Sequence, residues 1–132
     1  MTDRGSVLPM LAVLVLGGAI VAGLAIDLGR WGVLYREAAF AADAGAEAGA
    51  AMIDEDAAYR DLLALDPGGA RAVAVEAARV ARSRPGRTVA AQADTGRVCV
   101  TVRQPFRPGL LRIAGVGSTT ITADACAVPG KG

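Results

Sequence analysis

Two cysteines, Cys99 and Cys126, and an acidic triplet, Asp54-Glu55-Asp56, are the groups in this 132-residue chain whose types could support chemistry. There is no histidine, so the commonest general base is missing and Ser-His or Cys-His nucleophile pairs are impossible. Three consecutive acids do not converge on one helix face; the triplet reads as a helix start or a solvated cluster. The only lysine, Lys131, sits in Gly130-Lys131-Gly132, which lacks the Gly-x-x-x-x-Gly-Lys frame that cradles phosphate. Without histidine or closely spaced cysteines, a metal site is not expected either. The chain therefore reads as a non-enzyme, with no catalytic, cofactor-binding or metal-binding residues and no cofactor. The chemistry that remains is oxidation of one thiol against the other.

That pairing depends on strands. Thr88 to Ala93 alternates, with Val89, Ala91 and Ala93 on one side, and Asp94-Thr95-Gly96 turns the chain into a second strand, Arg97 to Arg103. Gln104 to Ser118 is a connection, rich in Pro and Gly, with a short helical turn at Leu110 to Ile113. Thr119 to Val128 is the third strand. Val98, Val100 and Val102 share one face of the second strand, and Ile121, Ala123, Ala125 and Ala127 one face of the third. Cys99 and Cys126 thus both point away from the core and can meet on paired strands, which predicts a cross-strand disulfide. Such a bond belongs in an oxidising compartment outside a membrane; the alternative is two free thiols in a cytoplasmic domain.

At the other end of the chain, Gly5 to Ile26 is a run of 22 uncharged residues between Arg4 and Asp27. At 1.5 Å per residue it reaches about 33 Å, enough to cross a ~30 Å hydrocarbon core and longer than the apolar centre of a signal peptide. Gly23-Leu24-Ala25 does offer small residues to a signal peptidase. Pro9 falls in the first turn, where its missing N–H costs least, and Gly18-x-x-x-Ala22 admits another helix closely.

The helical pattern continues past the apolar run. A 4-3 spacing picks out Val7, Met10, Leu14, Gly17, Val21, Leu24, Leu28, Trp31, Tyr35, Ala38, Ala42, Gly45, Gly49 and Met52, an uncharged seam that would lie along other helices or under the chain's own globular domain. One helix from Val7 to Ile53 or beyond, on the order of 70 Å, is expected, with Pro67-Gly68-Gly69 ending whatever helix runs through Asp61-Leu62-Leu63. A second helix spans Ala70 to Ser83. Leu at Gly45 and Gly49 is expected to impair assembly while leaving the outer domain folded.

The predicted fold class is α+β: a long N-terminal transmembrane helix, a second helix and a small three-stranded antiparallel sheet. Its regions are a short N-terminal cytoplasmic segment at 1–5, the transmembrane half of the helix at 6–26, an amphipathic Ala-rich extension at 27–66, and a small α+β extracytoplasmic domain at 67–132. The flanking charges do not set the orientation by the positive-inside rule; the disulfide does.

Hydrophobic content is 53% but aromatic content only 4%, so the core is built of small side chains and calls for help from a membrane, a partner or a disulfide. A net charge of +1 argues against a nucleic-acid partner. Asp27 to Asp66 carries a balance of −6 (nine acids, three arginines), and Pro67 to Gly132 one of +7 (ten bases, three acids). These halves can attract within one chain or between neighbours, or simply form solvated faces.

The segments "DRGSVLPM" before the apolar run, "DLGRW" at its exit and "AADAGAEAGA" beyond it resemble the TadE/TadG-like minor pilins (pseudopilins) of tight-adherence, Flp-type pili. The likeness covers about Asp3 to Ala51, and the helix-then-strands layout that follows is similar too. It implies a pilin-like, single-pass protein of the bacterial cytoplasmic membrane with its C-terminal domain outside. The helix would join a pilus at its base or tip through contacts with other pilins and the pilus assembly machinery, as a homo- or hetero-oligomer. A prepilin-peptidase cut would fall between Gly5 and Ser6. That puts Met10 at the fifth mature position, where processed pilins carry Glu, a departure that TadG-like members, which need not be cut this way, accommodate. The other function in view is a membrane-tethered extracytoplasmic binding module of an envelope or secretion complex that never enters a filament.

Overall fold

No residue between Pro9 and Gly49 breaks a helix, and α1 runs without interruption over Val7–Ala50, 44 residues, in the computed structural model, which describes residues 7–130. Its most apolar window has a mean hydropathy of 2.5, so α1 is long and apolar enough to cross a bilayer. The inner half is exposed along most of its length and meets the rest of the molecule only near Ala19 to Leu24. The outer half is the spine of an α+β head.

α1 stops at Ala50, short of Ile53, and does not run on through Asp61–Leu63. Ile53 and Leu65 instead form an isolated antiparallel bridge, flanked by Asp54 N–H donating to the Ala64 carbonyl (2.9 Å) and Asp66 N–H to that of Met52 (3.0 Å). The one-turn helix α2 (Glu55–Ala58) fills the loop, capped by Asp54, whose Oδ1 accepts from Ala57 N–H at 3.1 Å. An Asp that can cap a new helix competes with lengthening the old one. Leu65 is drawn into the centre of the core, fully buried. Residues 51–66 are therefore part of the head, which corrects the rod-like extension expected over 27–66.

Pro67-Gly68-Gly69 starts a helix where it was expected to end one. Asp66 accepts from the N–H groups of Gly68 and Gly69, both at 3.1 Å, and Pro67 occupies the first helical position, where its fixed φ is already helical. The resulting α3 (Pro67–Val80) begins earlier than Ala70 and ends before Ser83.

Three strands follow, β1 (Thr88–Ala93), β2 (Val98–Phe106) and β3 (Thr119–Ala127), in an antiparallel meander of order β1-β2-β3. Asp94 makes the first turn, its Oδ1 accepting from Gly96 N–H (2.7 Å) and Arg97 N–H (2.9 Å). Those bonds, that of Gly96 first, hold its carboxyl below the usual carboxylate range. β2 outlasts the expected Arg103 and passes through Pro105. This is allowed because β1 begins only at Thr88, the partner of Arg103, leaving β2 without a strand partner on that side from Gln104 onward.

One face of the sheet carries Val98, Val100 and Val102, all fully buried beneath α1 and α3. The two helices run antiparallel and very close, Ala70, Ala74 and Ala78 of α3 meeting Gly45, Gly49 and the alanines of α1. Small side chains bury little area each, and the close backbone approach compensates with dense van der Waals contact.

On the far face Cys99 and Cys126 are direct cross-strand partners and are joined in a disulfide. The bond closes a sequence separation of 27 residues, so it restricts the unfolded chain most. The C99S/C126S double variant is expected to keep its sheet but lose about 3–4 kcal/mol in denaturant unfolding of the full chain. Unchanged stability would mean that the head owes nothing to this bond.

Candidate functional site

Asp27 is the first charge after the apolar run, and a carboxylate at that border needs donors of its own. It finds them 82 residues away. With only 1% of its surface exposed, Asp27 accepts Gly109 N–H on Oδ1 (2.9 Å) and Leu110 N–H (2.9 Å) and Leu111 N–H (2.7 Å) on Oδ2. All three donors come from the β2–β3 loop, residues 107–118. Charge-assisted bonds of this length are the strong kind, and three on one carboxylate make a clasp.

Two glycines let the loop come so near. A Cβ on Gly109 would lie 3.1 Å from Arg30 Nη1 and 3.3 Å from Asp27 Oδ1. A Cβ on Gly23, one turn inward on α1, would lie 3.0 Å from Leu110 Cδ1, so Leu110 sits on bare helix backbone. Beyond the clasp the loop follows α1 inward, and Leu110, Leu111, Ile113 and Ala114 form a shallow apolar groove with Ile20 and Leu24. The helical turn expected at Leu110 to Ile113 is present, Ile113 N–H donating to the Leu110 carbonyl at 3.0 Å.

Outward from Asp27, Trp31 and Tyr35 stack with ring centroids 5.6 Å apart. Aromatic pairs with apolar bodies and polar tips are favoured where hydrocarbon gives way to water. Further out, Arg84 reaches back to Glu37 with both nitrogens (Nε–Oε2 2.6 Å, Nη2–Oε1 2.9 Å), and Arg82 lies over the Phe40 ring at 5.3 Å. The acidic middle and the basic end thus meet inside one molecule here.

The seam divides at the head. Leu14, Gly17, Val21, Leu24, Leu28, Trp31 and Tyr35 are exposed, whereas Ala38, Ala42, Gly45 and Gly49 are buried under α3 and the sheet, and Met52 is half-buried beyond the helix end. For the outer half, the partner is the chain's own domain. The expected tolerance of Gly45 and Gly49 to Leu is overturned, because a Cβ there would come within 2.7 Å of the Ala74 carbonyl oxygen and 2.9 Å of that of Ala70. Gly17 and Gly18, by contrast, have nothing within 4 Å of an added Cβ. The Gly5–Ser6 processing position lies outside the described residues.

Asp27, Gly23, Gly109, Leu110 and Leu111 did not stand out as site residues in the chain. Two signals could have found them: an acid directly at the end of an apolar run, and the apolar residues of a Pro-Gly-Leu-Leu segment inside a connection expected to hold only a short helical turn. No protein-family model, curated protein or solved structure matches this chain.

Proposed function

We propose that the chain is a non-catalytic, minor pilin-like subunit acting in assembly, initiation, or at the tip or base of a Tad/Flp-type pilus. It is held in the bacterial cytoplasmic membrane by a single span, with the head on the extracytoplasmic side. The observation that carries this reading is the continuity of α1: one helix is both the apolar rod and the spine of the head. A rod joined to its head without a hinge transmits packing forces from one to the other, as a filament subunit requires. Its inner half offers Leu14, Gly17, Val21, Leu24 and Leu28 to neighbouring helices, with room around Gly17 and Gly18 for close approach.

Deletion of the gene and mass spectrometry of sheared pili test the proposal. Loss of pili on deletion, with peptides of this chain in the sheared fraction, is the expected result. Normal pili, with the chain confined to the membrane fraction, would replace it with the membrane-tethered binding module.

A further inference from the structure

The β2–β3 loop is an irregular segment placed beside the apolar half of α1, inward of Asp27. Its Ile113 and Ala114 lie alongside Ala19 and Ile20. Those helix positions are six to seven residues inward of Ile26, about 9 to 10.5 Å along the axis. Ile113 is 85% exposed, and Leu110 and Val116 are close to half exposed. In water this would be an unexplained cluster of bare aliphatic side chains at a loop tip.

Irregular backbone is not found bare in the hydrocarbon centre, but it is tolerated where protein backs it and at the headgroup margin, where water still reaches it. The loop is backed by α1, and seven of its N–H groups are paired within the molecule. The N–H groups of Gly109, Leu110 and Leu111 donate to Asp27, and those of Ile113, Ala114, Gly115 and Val116 donate to carbonyls of Leu110, Leu111 and Arg112 within the loop. Exposed Arg107 precedes the apolar residues and exposed Arg112 falls among them, between Leu111 and Ile113; both are long enough to leave their charges among headgroups while their stems stay in apolar surroundings.

We propose that this loop is a second membrane contact: Leu110, Ile113 and Val116 enter the outer leaflet beside α1, and the Asp27 clasp sets their depth. The partner is the lipid bilayer itself, because the loop's exposed side chains continue the exposed apolar surface of Ile20 and Leu24. The inference rests on the reading of α1 as a membrane span.

Trp31 is the only tryptophan, so a W31F background is free of indole. In that background, Ile113→Trp and, separately, Leu14→Trp place one reporter on the loop and one on the exposed inner helix. The full chain is reconstituted into phosphatidylcholine–phosphatidylglycerol vesicles and titrated with brominated acyl chains and with aqueous acrylamide. Both reporters are expected to be quenched by bromine, by at least half, and to be shielded from acrylamide. If Leu14→Trp is quenched by bromine while Ile113→Trp answers only to acrylamide, the loop lies in water and the inference is wrong. Shielding of Ile113→Trp from both quenchers would assign the loop to a protein neighbour and overturn it equally. Loss of bromine quenching at Leu14→Trp would remove the span itself, and the loop contact with it.

Discussion

Asp27→Ala releases the β2–β3 loop: amide exchange at Leu110 and Leu111 is expected to accelerate roughly tenfold or more, and trypsin to cut after Arg112 before it cuts the head. The substitution removes the acceptor of three backbone N–H groups at once, and no other side chain replaces it. Asp27→Asn tests the geometry more finely. It keeps the size of the side chain but turns an NH2 group toward N–H donors, so it should behave closer to Ala than to Asp. Asp27 makes none of the contacts that hold the sheet and α3 on the outer half of α1, and the protection of β2 amides should stay as it was. Slow exchange at Leu110 and Leu111 in the Ala variant would show that the loop is held by its apolar contacts alone.

The largest loss of stability is expected from Gly45→Leu. Its Cβ would fall 2.7 Å from a backbone oxygen of α3 and 2.9 Å from the Cβ of Ala78, so relief requires the two helices to part. Separation empties the Ala-lined contact that closes the core. The cost is expected to reach about 3 kcal/mol or more, a large part of what holds a domain of this size together. Denaturant unfolding of the full chain in detergent micelles, followed by circular dichroism, measures it, with Gly45→Ala intermediate. Gly17→Leu is the matched control: with open space around that position it should leave the head's midpoint unmoved. Equal midpoints for Gly45→Leu and the parent chain would mean that α1 and α3 are not in the contact described.

Strand positions and the disulfide were legible because they follow from local alternation. β1 falls on the expected Thr88–Ala93, and the period of two that puts Val98, Val100 and Val102 inward leaves Cys99 facing Cys126. The long helix was legible for the same reason, through an apolar run with no breaker. Its end was not. Asp54 and Asp66 are caps only in relation to the helices that start after them, and nothing local ranks a new helix above a longer old one. The seam posed a subtler problem, since a stripe of Ala and Gly looks the same whether another molecule or a later helix of the same chain covers it. The clasp was hidden by distance. Asp27 and Gly109 share no local pattern, and their meeting depends on where the meander sets down its second connection.

The asymmetry of the clasp has a consequence for how copies could be arranged. With the loop lying over Gly23 and Asp27, one flank of the rod is occupied near its exit, while Gly18, Ala25 and Gly32 point the opposite way on the helical wheel. A visiting rod at that level meets a shaft with a front and a back. In the filament proposed above, each copy would carry its own rotational index mark, and a neighbour turning to the flank of Gly23 and Asp27 would collide with the strap.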